Sequence, residues 1–249
     1  MKVLIIALIG VLLGGSAAIA EDDACEVAAP LVSADFALQH AAAAIADHHL
    51  NVVVVGSASS TLAGPAGTKE AFPARLEAAL TEQLPGVAVK VTTYAKARQS
   101  ALDMTQQFAR ILATDKPALV IWQTGTVDAM RHADPDEFAS ALETGISAIQ
   151  AGGSDVILMN MQYSPRTESM IAVAPYAEAM RIVALQHEIL LFDRFAIMKH
   201  WSEMGTFDLN EITKKIDTAG HVHDCIGRLL GRLIVEAAKL THKANQSLN

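Results

Sequence analysis

A three-layer α/β/α sandwich around a five-stranded parallel sheet is the fold this sequence predicts, and three observations predict it. Five short apolar runs recur along the chain, helical patterns of ten or more residues alternate with them, and no repeat or low-complexity linker divides residues 51–240. Runs that are apolar throughout, rather than alternating, belong to strands buried on both faces. Alternation of such strands with helices gives βαβ units, whose right-handed crossovers put helices on both sides of the sheet.

The elements follow in order. Lys2, an apolar run from Val3 to Leu13 broken only by Gly10, and Ala18-Ile19-Ala20 ahead of Glu21, Asp22 and Asp23 have the layout of a secretory leader. The apolar run is too short for a helix spanning a bilayer of ~30 Å. The predicted organisation is a signal peptide at 1–20, an N-terminal extension at 21–50 with a helix over Ala34–Ala46, and a main domain at 51–249. The first strand is Asn51–Val55, followed by Phe72, Leu76, Leu80 and Leu84 on one helix face. Val87–Val91 is the second strand, with Leu102, Thr105, Phe108, Ala109 and Leu112 on the next helix. Ala118–Trp122 precedes a helix that starts after Pro135 and carries Phe138, Leu142 and Ile146. Val156–Met159 precedes a helix around Tyr176–Gln186. The fifth strand is Ile189–Phe192, and Ile226, Leu229, Leu230, Leu233, Ile234 and Ala237 line a terminal helix.

The leader implies a periplasmic or secreted protein with no membrane anchor after cleavage. The formal net charge is −8, and no block of Lys and Arg survives removal of Lys2, which speaks against nucleic acid or an anionic membrane as partner. Cys25 and Cys225 are the two cysteines; in an oxidising compartment they are expected to pair, tying the mature N-terminus to the last helix.

Function in such sheets sits beyond the carboxyl ends of the strands. After the first strand comes Gly56-Ser57-Ala58-Ser59-Ser60-Thr61, a glycine followed by hydroxyls. Either backbone N–H groups cradle a phosphate there, or one hydroxyl is a nucleophile. Neither G-x-x-x-x-G-K-[ST] nor G-x-G-x-x-G occurs, which disfavours the phosphate. After the third strand comes Gln123-Thr124-Gly125-Thr126-Val127-Asp128, where Asp128 reads as a pocket residue or as a cap. Before the expected last helix lie Asp217, His221, His223 and Asp224. Imidazole is the usual base for activating a hydroxyl. A metal held by His221 and His223 is the third reading, but no third ligand stands near them in sequence.

These three segments, with VVVVGSASST, AFPARLEAALTEQLPGV, ALVIWQTGTVDA, LFDRFAIMKHW and HVHDCIGRLLG, make residues 51–240 resemble the SGNH/GDSL hydrolase superfamily, and an exported bacterial branch of it. The resemblance implies a flavodoxin-like α/β/α esterase without metal or organic cofactor, acting on a small-molecule or glycan ester. It implies Ser59 as nucleophile, with Ser57 as alternative; His223 as base, with His221 as alternative; and Asp217 as the orienting carboxylate. The oxyanion side maps onto Ala97 or Arg98, then Gly125, Thr126 and Asp128. The departures are clear. Aspartate is missing from the first block, glycine from Lys96–Ser100, and Val127 stands where the family has the donor asparagine. An alternative reading is a binding or scaffold protein that kept the fold and lost the chemistry.

Overall fold

The computed structural model describes residues 23–210 and 216–246; the expected signal peptide at 1–20 lies outside them. Five strands, β1 (His49–Gly56), β2 (Ala88–Ala95), β3 (Leu119–Gln123), β4 (Asp155–Met159) and β5 (Leu190–Phe192), form one sheet in the order β2-β1-β3-β4-β5. Every pairing is parallel. Each strand covers most or all of one of the five apolar runs, with ends displaced by a few residues.

Side chains alternate across a strand, and here both faces are covered. Val52 and Val54 join Leu119, Ile121, Ile157 and Met159 in one core, and Val53 and Val55 join Val120, Trp122, Val156 and Leu158 in the other. The first core is closed by α1 (Gln39–Ala46), α3 (Phe72–Gln83), α9 (Arg194–Glu203) and α10 (Ile216–Gln246), α2 (Gly67–Glu70) being a short turn ahead of α3. The second is closed by α4 (Ala101–Asp115), α6 (Pro135–Ala151) and α8 (Ala174–Gln186). Between them run the short α5 (Thr126–Met130) and α7 (Pro165–Met170). Among the described residues no helix is long and apolar enough to cross a membrane.

Three boundaries differ from the sequence reading. The first helix starts at Gln39, not Ala34, because the Asp155 carboxylate from the start of β4 accepts from the Ala41 N–H at 2.9 Å. A carboxylate satisfying an orphan amide fixes where a helix begins, and here it comes from 114 residues away. On α4, Leu102 is exposed while Ala101, Met104, Phe108 and Ile111 are buried. The expected stripe was rotated about Phe108. The last helix starts at Ile216, well before Asp224, so Asp217, His221 and His223 are helical rather than loop residues. Cys25 and Cys225 are joined (S–S 2.03 Å), which pins the extension against α10 across 200 residues.

Candidate active site

The site is built on the turn after β1. A Cβ at Gly56 would stand 2.1 Å from Ser60 Oγ and 3.0 Å from Gln123 Oε1, so only glycine lets the turn fold back onto the strand ends. The turn then forms one 3₁₀ unit, Ala58–Ser60. Gln123, the last residue of β3, holds it. Its Oε1 accepts from Ser57 N (3.1 Å), Ser57 Oγ (3.2 Å) and Ser60 Oγ (2.9 Å). Ser57 and Ser60 are buried and committed to that oxygen. Ser59 is half-buried, and its Oγ has only the Ser57 hydroxyl at 3.4 Å. Of the two serines the sequence offered, Ser57 is a strut and Ser59 is the hydroxyl at the surface.

Ser59 lines two clefts. The first, of about 440 Å³, is bounded by Ser57, Ala97, Arg98, Thr126, Val127 and Gln162 among others. Arg98 has φ 65°, in the left-handed region that favours glycine, and its carbonyl accepts from Arg131 Nη2 at 2.8 Å. An arginine therefore holds a backbone shape that glycine adopts more readily. Thr126 Oγ1 is buried and has no hydrogen-bond partner. Gly125 (φ 96°) shapes the turn into α5 and does not line the cleft, since Met161 Sδ would lie 2.6 Å from a Cβ there.

Asp128 faces away from this cleft as well. Its carboxylate accepts from the Ala101 N–H at 3.0 and 3.2 Å and so anchors the start of α4. Burial pushes its pKa up against these bonds. Of the expected oxyanion-side residues, Arg98 and Thr126 line the cleft; Gly125 and Asp128 support it.

The second cleft, of about 460 Å³, holds Tyr163, Ser164, Arg194, Asp208, Thr218 and His223. His223 is buried, and its Nδ1 accepts from the Phe72 N–H at 2.9 Å. That bond puts the proton of the neutral ring on Nε2. Burial, helped by the Arg194 charge, lowers its pKa to about 3. The ring is thus neutral, and its cleft-side nitrogen is a donor.

The Ser-His-Asp arrangement expected from sequence is not assembled in this geometry. Asp217 and His221 are exposed and line neither cleft. Asp217 makes no bond to His223, whose orienting partner is a backbone N–H donating to it rather than a carboxylate accepting from it. Asp224 pairs with Arg228 (2.8 Å) and Arg75 (3.7 Å). His221 and His223, two apart on a helix, project about 200° from one another and cannot share a metal. Among the described residues no cluster of metal-ligating side chains occurs.

Two residues carry more of the site than the sequence reading gave them. Gln123, quoted from sequence only as part of the segment after the third strand, is the acceptor that builds the serine turn. Arg194 opens α9 with no exposed surface and donates from Nη1 to the Ser59 carbonyl at 3.0 Å. It is held there because Asp193 caps α9 through the Ala196 N–H (2.9 Å). Asn160, at the end of β4, bonds both Asp193 and the Phe195 N–H. A lone arginine directly after a buried strand was the available signal.

A parallel sheet in this order, with a serine turn after β1 and a glycine turn after β3, defines an SGNH/GDSL-type hydrolase fold. The chain belongs to the non-GDSL lipase-like family, whose profile matches residues 24–240. No curated protein sequence matches it. Similar solved structures include a catalytic mutant of Axe2, an acetylxylan esterase from Geobacillus stearothermophilus (TM-score 0.59, 18% identity, 74% of this chain and 94% of that one). TesA is similar at TM-score 0.58 and 21% identity, over 74% and 99% of the two chains. A lipolytic protein of the G-D-S-L family from Desulfitobacterium hafniense DCB-2 is similar at 0.56 and 17%, over 74% and 98%. At these identities the likeness is one of fold.

Proposed function

We propose that the chain is an exported serine hydrolase that cleaves acyl esters, small or glycan-borne, with Ser59 as nucleophile. The observation that carries this reading is the freedom of one hydroxyl: Gln123 immobilises Ser57 and Ser60, and leaves Ser59 at the junction of the two clefts. In the proposed step Ser59 Oγ attacks the carbonyl and its proton passes to His223. Backbone N–H groups at Ala97–Arg98 and the unpartnered Thr126 hydroxyl face the developing oxyanion, and water then releases the acyl group.

The reading also sets a rate. To accept a proton at Nε2, His223 first has to carry its own ring proton on Nδ1, which gives up the Phe72 N–H bond and leaves that buried amide unpaired at a cost of about 1–3 kcal/mol. Val127 removes one oxyanion donor, a loss of roughly 10²–10³ in kcat. A slow enzyme is expected. The Cys25–Cys225 bridge supports export, because such bonds persist in oxidising compartments. N-terminal sequencing of periplasmic material should begin at Glu21.

The locked imidazole favours one second reading, a family member that binds esters without cleaving them. A fluorophosphonate probe separates the two. Labelling that maps to Ser59 by peptide mass spectrometry supports the hydrolase, and an intact, folded, unlabelled chain supports the binder.

A further inference from the structure

The second cleft contains a buried cation that no described residue neutralises. Arg194 lines the cleft but is otherwise buried, no carboxylate pairs with it among the described residues, and its Nε is buried without a partner. Its single hydrogen bond, to the Ser59 carbonyl, uses one of five donors. Its guanidinium packs over the Phe72 ring, 5.7 Å from Cζ to centroid, so an apolar wall strengthens its field. Arginine burial of this kind is costly unless an anion completes it. The charge survives burial, since the pKa falls only to about 10.

A second donor faces the same space. The Phe72 N–H fixes His223 with its proton on Nε2, and both Arg194 and His223 line the cleft beside Ser59. Both are rigid, one held by the Asp193 cap of α9 and the other set in α10.

We propose that this cleft is a carboxylate-binding subsite, in which Arg194 and the Nε2–H of His223 hold the two oxygens of one carboxylate next to Ser59. A monoanion is the fitting charge. Among the described residues the cleft has a single buried cation, Asp208 lines it as well, and the chain carries a net charge of −8, so a phosphate dianion is opposed. Thr218 and Ser164 supply neutral hydroxyls at the rim. The subsite does not depend on turnover: it admits a ligand with an acidic group, whether or not Ser59 reacts.

The test uses the mature full-length chain at constant ionic strength. Acetate, its neutral isostere acetamide and inorganic phosphate are titrated while the His223 imidazole resonances are followed, assigned by their absence in His223→Gln. The expected result is saturable binding of acetate, no response to acetamide, and phosphate at least tenfold weaker. Arg194→Met should weaken acetate at least tenfold, and its Tm should be unchanged or higher because an unpaired buried charge is gone. Equal responses to acetate and acetamide, tighter phosphate, or unchanged acetate binding in a folded Arg194→Met would each overturn the proposal. The acetate–acetamide comparison does not use Arg194→Met, so it decides the matter even if that variant does not fold. Fluorophosphonate labelling of Ser59 is scored separately, so failure of the subsite and failure of the hydrolase reading are distinguishable.

Discussion

The two clefts that meet at Ser59 are built on opposite principles. On the side of α5 the wall holds no buried charge: Ala97, the left-handed Arg98, Thr126 and Val127 shape it, and its two arginines, Arg98 and Arg131, are exposed. In the proposed reaction this side faces the oxyanion, and Val127 offers it no donor. On the side of α10 the wall carries a buried guanidinium and a buried imidazole, both with donors to spare and neither with a carboxylate. One side retains the geometry of catalysis with weakened chemistry. The other has strong polar chemistry arranged for binding rather than for proton removal. Backbone shape and side-chain chemistry have separated within a single site, because the turn is fixed by Gly56 and Gln123 independently of the groups around it.

Four experiments sharpen or break that contrast. The largest effect is expected from Ser59→Ala, which removes the group both clefts share. Fluorophosphonate labelling should vanish and ester turnover should fall by about 10³-fold or more, with far-UV circular dichroism unchanged. Residual labelling at Ser57 would show that the strut can react and that Gln123 does not immobilise it.

Val127→Asn restores an amide to the weaker side. If that side limits the reaction, kcat on p-nitrophenyl acetate should rise, with roughly 10²–10³-fold as the ceiling. An unchanged rate would place the bottleneck at His223 instead.

Gln123→Leu attacks the support common to both clefts. It strands the Ser57 N–H and the buried Ser60 hydroxyl, so urea unfolding should show a loss of about 2–3 kcal/mol. A loss confined to a few tenths would mean that water or a rearranged turn replaces the bond.

The most gradual effect concerns pH. The folded-state pKa of His223 lies near 3, below its unfolded value, so between the two the unfolded chain binds more protons. This contribution is complete above about pH 6.5 and is lost as pH falls through that window, at up to about 1.4 kcal/mol per pH unit. Asp128 and Asp155, raised by burial, act in the opposite sense in the acid range. The difference between wild type and His223→Gln cancels those terms, and glutamine keeps an acceptor for the Phe72 N–H. Stability curves for the two proteins should diverge below pH 6 and run parallel above it. Parallel curves throughout would mean that His223 titrates as an ordinary exposed imidazole and that the α10 side is open to water.

Much of the architecture was legible in the residues. The valine run of β1, the apolar runs of β3 and β4 and the helical spacings between them reflect burial on two faces, which composition records position by position. The serine turn was legible too, since a glycine followed by hydroxyls after a buried strand is a local pattern. Cys25 and Cys225 were legible by count. Ser57 and Ser59, by contrast, could not be ranked from sequence, because what separates them is an acceptor 66 residues away. Asp128 read as a pocket residue or as a cap, and only the folded chain shows its carboxylate turned toward the Ala101 amide.

The sequence by itself determined the order of the elements, the sheet and its crossovers, and which loops meet at its rim, because periodicity and apolar content are properties of short stretches of chain. The tertiary structure alone decided what the polar groups do there. His223 is a donor rather than a ready base because the Phe72 N–H reaches it across 151 residues, and Arg194 becomes a buried cation with no carboxylate among the described residues because it opens α9 against the serine turn. Protonation and pairing depend on what stands within about 3 Å, and for these side chains the chain supplies that neighbour from far away in sequence.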